Sequence, residues 1–81
     1  MKLPRDVAAA DLEKALCRAL GYQFTRQRGS HRRLTTQIGG QHHLTIPAQG
    51  TLKPGTLRAI IGEVATHHQL TMEDVLRRLD L

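Results

Sequence analysis

The sequence has 81 residues, with one cysteine, no tryptophan, one tyrosine and one phenylalanine. Cys17 has no partner for an internal disulfide, so nothing points to secretion, and the expected compartment is the cytoplasm. No apolar stretch approaches the roughly 20 residues that a membrane helix needs. No apolar h-region follows the opening Met1-Lys2-Leu3-Pro4-Arg5-Asp6, so neither a signal peptide nor a membrane partner is expected. Tyr22 and Phe24 are the only aromatics, and both are assigned to the core. Stacking on single-stranded bases is therefore hard to build, and recognition of a nucleic acid should run through backbone and phosphate. The length itself excludes a second lobe or a large lid. A chain this short hides only somewhat over 60% of its unfolded surface, so residues 1–81 are read as one domain. At 40% hydrophobic and 23% charged residues the composition is ordinary for a globular chain, and disorder is not expected.

Acids are missing from the middle of the chain. Between residues 14 and 62 there is no Asp or Glu, while Lys14, Arg18, Arg26, Arg28, Arg32, Arg33, Lys53 and Arg58 all fall there. The net charge of +5 and the pI near 10.4 are thus concentrated in one region. Such a stretch is a candidate polyanion surface, although a solvated basic face without a partner has the same composition. The missing carboxylates also weigh against a nuclease that holds Mg²⁺.

Periodicity gives the organisation. Leu12, Leu16, Ala19 and Leu20 mark one face of a helix over Ala8 to Leu20, with Asp6 as N-cap and Gly21 as its stop. From Tyr22 the period becomes two, with breaks at Gly29-Ser30 and Gly39-Gly40, which reads as a three-stranded antiparallel meander. Keeping apolar residues on one face favours two three-residue loops. Arg28-Gly29-Ser30 would put Phe24 opposite Leu34 and Gln27 opposite His31. Gly39-Gly40-Gln41 would pair Ile38 with His42, Thr36 with Leu44 and Leu34 with Ile46. The apolar face is then Tyr22, Phe24, Leu34, Ile38, Leu44 and Ile46, and the wet face carries His31, Arg33 and His43. Leu57, Ile60, Ile61 and Val64 form a second helical stripe behind a Thr56 N-cap. Met72, Val75, Leu76 and Leu79 form a third, opened by Thr71 and Asp74. The fold class is α+β, with a sheet that helices must cover on one face.

His31 follows a Gly-Ser turn, precedes Arg32-Arg33 and shares the wet face with His43. RNA carries its own nucleophile, the 2′-hydroxyl. Cleavage therefore needs only a proton acceptor, a proton donor and cations for the developing charge. A surface His in a basic turn fits the same spacing. His42-His43 and His67-His68 do not make a metal set, because adjacent strand residues point to opposite faces and a single Cys is a poor supplement; no metal or cofactor is expected. Lys53-Pro54-Gly55-Thr56 opens a helix whose N–H groups and Lys53 attract phosphate, with Arg58 one turn further on. A capped helix without a ligand reads alike.

These residues carry a resemblance. Lys2-Leu3-Pro4-Arg5, Leu20-Gly21-Tyr22, Arg26-Gln27-Arg28-Gly29-Ser30-His31, His43-Leu44-Thr45-Ile46-Pro47 and Leu52-Lys53-Pro54-Gly55-Thr56-Leu57-Arg58-Ala59-Ile60 occur in order over nearly the whole chain. The chain resembles the HicA (YcfA-like) proteins, small toxins of type II toxin–antitoxin systems. The resemblance implies a double-stranded-RNA-binding-domain-like α-β-β-β-α fold, here with an extra C-terminal helix. It implies an mRNA interferase whose catalytic residue is His31, and a HicB-type antitoxin that covers the site. Arg26, Arg28, Gly29, Ser30, Arg33, Lys53, Thr56 and Arg58 would then shape the turn and hold mRNA, with His43 as a possible second acid–base group. Two departures are visible: Ala48-Gln49 follow Pro47, and the Val64 to Thr71 connection containing His67-His68 looks longer than usual. A non-catalytic RNA-binding module, or a domain that binds an acidic protein, would use the same basic face.

Overall fold

A computed structural model describes residues 2–81. Helix α1 (Ala9–Leu20) is followed by strands β1 (Gln23–Arg28), β2 (His31–Thr36) and β3 (His42–Pro47), then helices α2 (Pro54–His68) and α3 (Met72–Leu79). The antiparallel sheet has the order β1-β2-β3. This is the α+β arrangement that the periodicity predicts. The apolar stripes explain the layers. Leu12, Leu16 and Leu20 of α1, Leu57, Ile61 and Val64 of α2 and Val75 and Leu79 of α3 are buried with Leu34, Leu44 and Ile46 of the sheet. Both α1 and α2 lie against β3, and α3 packs on the two helices. One sheet face is therefore covered and the other is open, as the alternation requires.

The helix ends differ from expectation in two places. Asp6 does not cap α1; Ala8 is the N-cap, and Asp6 sits at φ +56° in the preceding bend. That segment is instead fixed by backbone bonds from Ala9 N–H to Gly50 C=O and from Leu52 N–H to Val7 C=O, 2.8 Å each. Thr56 does not cap α2; Lys53 does, and Pro54 occupies the first turn, where its missing N–H costs nothing. The other ends follow the sequence. Gly21 adopts φ +70° and closes α1 onto Leu16, and Thr71 Oγ1 accepts from the Asp74 N–H at 3.0 Å. In the Val64 to Thr71 segment, α2 runs on through His67-His68 and ends there, with Gln69 as its C-cap at φ +57°.

The register corrects both hairpins. Phe24 does face Leu34, but the register then shifts at Thr25, so that Arg26 faces Arg33, Gln27 faces Arg32 and Arg28 faces His31. The first turn is thus only Gly29-Ser30, with φ +57° at Gly29, the position where a II′ turn takes glycine. The second hairpin pairs Thr36 with His42 and Leu34 with Leu44, which leaves a loop of residues 37–41. This register differs from expectation by two residues. Parity is kept, so Leu34, Leu44 and Ile46 still share the buried face. Two assigned core residues leave it: Phe24 is 46% exposed and Ile38 54%. Phe24 lies on the outer strand while the helices lie against β3, and Ile38 falls in the loop.

Candidate functional site

The open sheet face gathers the basic residues. Arg26, Arg28, His31 and Arg33, with Thr45 of β3, line a cleft of about 340 Å³. Its geometry starts from the two-residue turn, which the Ala48 N–H braces by donating to the Ser30 carbonyl at 2.7 Å. Ser30 therefore acts through its backbone, and Gly29 through its positive φ; neither residue lines the cleft. From the turn, β1 and β2 diverge with Arg28 beside His31 and Arg26 beside Arg33. His31, Arg26 and Arg28 are exposed, whereas Arg33 is half-buried. The Arg33 Nε is shielded from solvent and has no hydrogen-bond partner among the described residues.

Strict alternation would place Gln27 on this face in place of Arg26 and Arg28. The bulge at Thr25 reverses that and brings three guanidinium groups around one imidazole. The signal for it is absent from the period-two pattern, because a bulge adds a residue without changing composition. Alternation along β3 also puts Thr45 on the open face, and its place in the cleft comes from facing Arg33.

Other sequence candidates stand elsewhere. His43 shares the face but faces Thr35, four positions along β2 from His31, or about 13 Å at the rise of a strand. Its Nδ1 lies 2.9 Å from Thr35 Oγ1. Lys53, Thr56 and Arg58 are exposed at the start of α2, a helix on the covered side of the sheet, and none lines the cleft. Arg32, one of the eight central cations, is withdrawn from the open face. Its Nε and Nη2 donate to the Glu13 carboxylate at 2.6 and 3.0 Å, its Nη1 donates to Gln27, and its guanidinium lies 3.9 Å from the Phe24 ring centre. The bidentate carboxylate keeps Arg32 charged.

A second histidine cluster occupies the far end of the sheet. The Tyr22 hydroxyl lies 2.8 Å from His42 Nδ1 and 3.0 Å from His68 Nε2. The His67 ring stacks on His42 at 4.4 Å, and its Nε2 lies 2.9 Å from the Ile38 carbonyl. Burial pushes the pKa of His42 and His68 down, and the neighbouring His67 adds to this; burial pushes Tyr22 up to about 12. Among the described residues, no group of three or more His, Cys, Asp or Glu is arranged to hold a metal ion, and no helix is long and apolar enough to cross a membrane.

One imidazole among three guanidinium groups, with no carboxylate lining the cleft, can seat a phosphate and exchange a proton beside it. Comparison with known proteins agrees in kind. A family model described as HicA toxin of bacterial toxin–antitoxin matches residues 9–65, which contain the whole of α1, the whole sheet, the cleft and most of α2. No curated protein and no solved structure gives a significant match. With the match spanning most of its length, this chain belongs to the HicA toxin family of bacterial toxin–antitoxin systems.

Proposed function

We propose that the protein is an mRNA interferase, a metal-independent endoribonuclease in which His31 is the catalytic residue. The observation that carries this is the placement of His31 in a carboxylate-free cleft beside Arg26, Arg28 and Arg33. RNA bound there presents a 2′-hydroxyl next to its own phosphorus. His31 accepts the hydroxyl proton as the oxygen attacks. The bond to the 5′-oxygen breaks, and that oxygen takes a proton from the His31 imidazolium or from water, leaving a 2′,3′-cyclic phosphate. The guanidinium groups of Arg28 and Arg33 offset the charge that gathers on the non-bridging oxygens. The unpartnered Arg33 Nε is a donor that such an oxygen would satisfy. Gly29 and Ser30 set the turn that holds His31. His43, about 13 Å away along the strands, meets a flanking part of the RNA and not the same phosphate. Lys53, Thr56 and Arg58 contact further backbone.

Membership of a toxin–antitoxin family implies an antitoxin partner. We take it to be a HicB-type protein that covers the His31 cleft, and the site of action to be the cytoplasm.

The test is incubation of the parent and of His31→Ala with mRNA in EDTA. Cleavage by the parent alone, with RNA still bound by the variant, is expected. Retained cleavage by a folded His31→Ala protein sinks the proposal. RNA binding without products from either protein would favour the non-catalytic module.

A further inference from the structure

We infer that Thr25 is a positioning residue, whose hydroxyl pins the bulge that puts Arg26 and Arg28 on the His31 face of the sheet. Thr25 is the residue at which pairing of β1 with β2 shifts: Phe24 faces Leu34, Arg26 faces Arg33, and Thr25 has no partner. A bulge interrupts the ladder and leaves polar groups to be satisfied. Here the Thr25 Oγ1 donates to the Arg33 carbonyl at 2.9 Å, from the bulged residue to the strand opposite. Its single proton is then used. At 3.3 Å the Thr35 hydroxyl must therefore donate to Thr25, and Thr35 in turn accepts from His43 Nδ1 at 2.9 Å. The bulge is thus one end of a chain of bonds that also orients His43.

The alternative register is specific. Without the bulge, Thr25 would face Arg33, Gln27 would face His31, and the turn would lengthen to Arg28-Gly29-Ser30. Arg26 would point to the covered side and Arg28 would enter the turn. Phe24 and Leu34 would still face each other, so nothing in the hydrophobic core forbids this pairing. The Arg32–Gln27 bond also belongs to the observed register, but the hydroxyl bond to Arg33 is made by the bulged residue itself and holds the extra residue where it lies. That these arginines serve RNA rests on the endoribonuclease proposal; the register does not.

Two changes that both remove the hydroxyl separate positioning from direct contact. Thr25→Val keeps the extra residue but not its bond. Deletion of Thr25 removes the extra residue, and regular pairing then brings Arg26 opposite Arg33 and Arg28 opposite His31. Cross-strand nuclear Overhauser contacts in the free proteins identify the residue facing His31. Binding of a single-stranded RNA 12-mer over a range of salt counts the phosphate contacts.

In Thr25→Val, Gln27 should replace Arg28 opposite His31, and the slope of log K against log salt should become shallower by about 1.4, the value for two lost contacts. The deletion and Thr25→Ser should keep Arg28 opposite His31 and keep the parent slope. Arg28 still facing His31 in Thr25→Val overturns the inference, and so does a deletion variant that loses binding as Thr25→Val does. If Thr25→Val does not fold, Thr25→Ala carries the same test. A parent with the expected register that neither binds nor cuts RNA would overturn the endoribonuclease proposal and leave the positioning role intact.

Discussion

At the hairpin end of the sheet, His31 is exposed and stands among Arg26, Arg28 and Arg33. At the far end, His42 and His68 close on the buried Tyr22 hydroxyl, and His67 stacks on His42. The same side chain meets opposite surroundings within one small sheet. The first imidazole is open to a ligand and lies where anions are drawn. The second group is tied to a phenol with one proton to share, so at most one of the two ring nitrogens can be bare and the other must carry hydrogen. Its work is to fasten the end of α2 to the strands. Five histidines in 81 residues make neither role visible by number; exposure and neighbours decide it.

The largest expected effect separates the two ends by activity. His31→Gln should lower RNA cleavage by about 10²- to 10⁴-fold, and an exposed site predicts a change in stability within about 0.5 kcal/mol. His42→Gln should do the reverse, leaving cleavage near the parent value and lowering the melting temperature. Cleavage rates and thermal melts on the two purified variants check both. Equal loss of cleavage in both would dissolve the distinction.

Next in size is Tyr22→Phe. It leaves His42 Nδ1 and His68 Nε2 without their shared partner in a poorly solvated place. A loss of about 1–3 kcal/mol in denaturant unfolding is expected for an unmet buried polar group. Since Tyr22 is the only tyrosine, phenolate absorbance reads it directly. Its midpoint should fall at about 12 in the folded protein.

Acid should loosen the far end. The pKa of His42 and His68 is depressed in the fold, first by burial and then by His67; His43 opposes charging of His42, Arg78 opposes that of His68, and Glu63 favours charging of His42. The unfolded chain, with histidine near 6.5, therefore binds more protons than the folded chain as pH falls. This stability is present above pH 6.5 and is lost as pH drops through the folded values. Stacked His42 and His67, 4.4 Å apart, would also repel once both are charged. Unfolding followed between pH 7.5 and 5 should show a decline that a His42→Gln, His68→Gln protein lacks. An equal slope in that double variant would assign the decline elsewhere.

Much of the fold was legible because it rests on apolar spacing. The stripes of α1, α2 and α3, the three strands, the Gly21 stop and the Thr71 cap all follow from local residue types. The candidate site was legible in its members and not in their assembly. Arg26, Arg28, His31 and Arg33 were identifiable as basic and adjacent, but their common face depends on one unpaired residue, Thr25, that alternation passes over. Arg32 reads like its neighbours until Glu13, nineteen positions earlier, claims it. Phe24 reads as core because the pattern marks a face and does not say which strand lies outside the helix layer. The extension of α2 through His67-His68 carries no glycine at its end, since Gln69 itself takes the left-handed conformation.

The smallest expected effects belong to the start of α2, and they test how far the basic surface extends beyond the cleft. Lys53 and Arg58 are exposed on an element that packs on the covered side of the sheet. Neither lines the cleft, so neither can stabilise charge at the phosphate beside His31. If each holds one flanking phosphate, Lys53→Ala and Arg58→Ala should each reduce the salt slope of binding by about 0.7. The cleavage rate at saturating RNA should stay within about twofold, because a contact made equally in ground state and transition state changes KM and not kcat. Arg33→Ala should instead lower kcat, since its guanidinium stands where charge develops. A fall in kcat for Lys53→Ala or Arg58→Ala as large as that for Arg33→Ala would mean that RNA bends the start of α2 into the site, and the open face alone would no longer describe it.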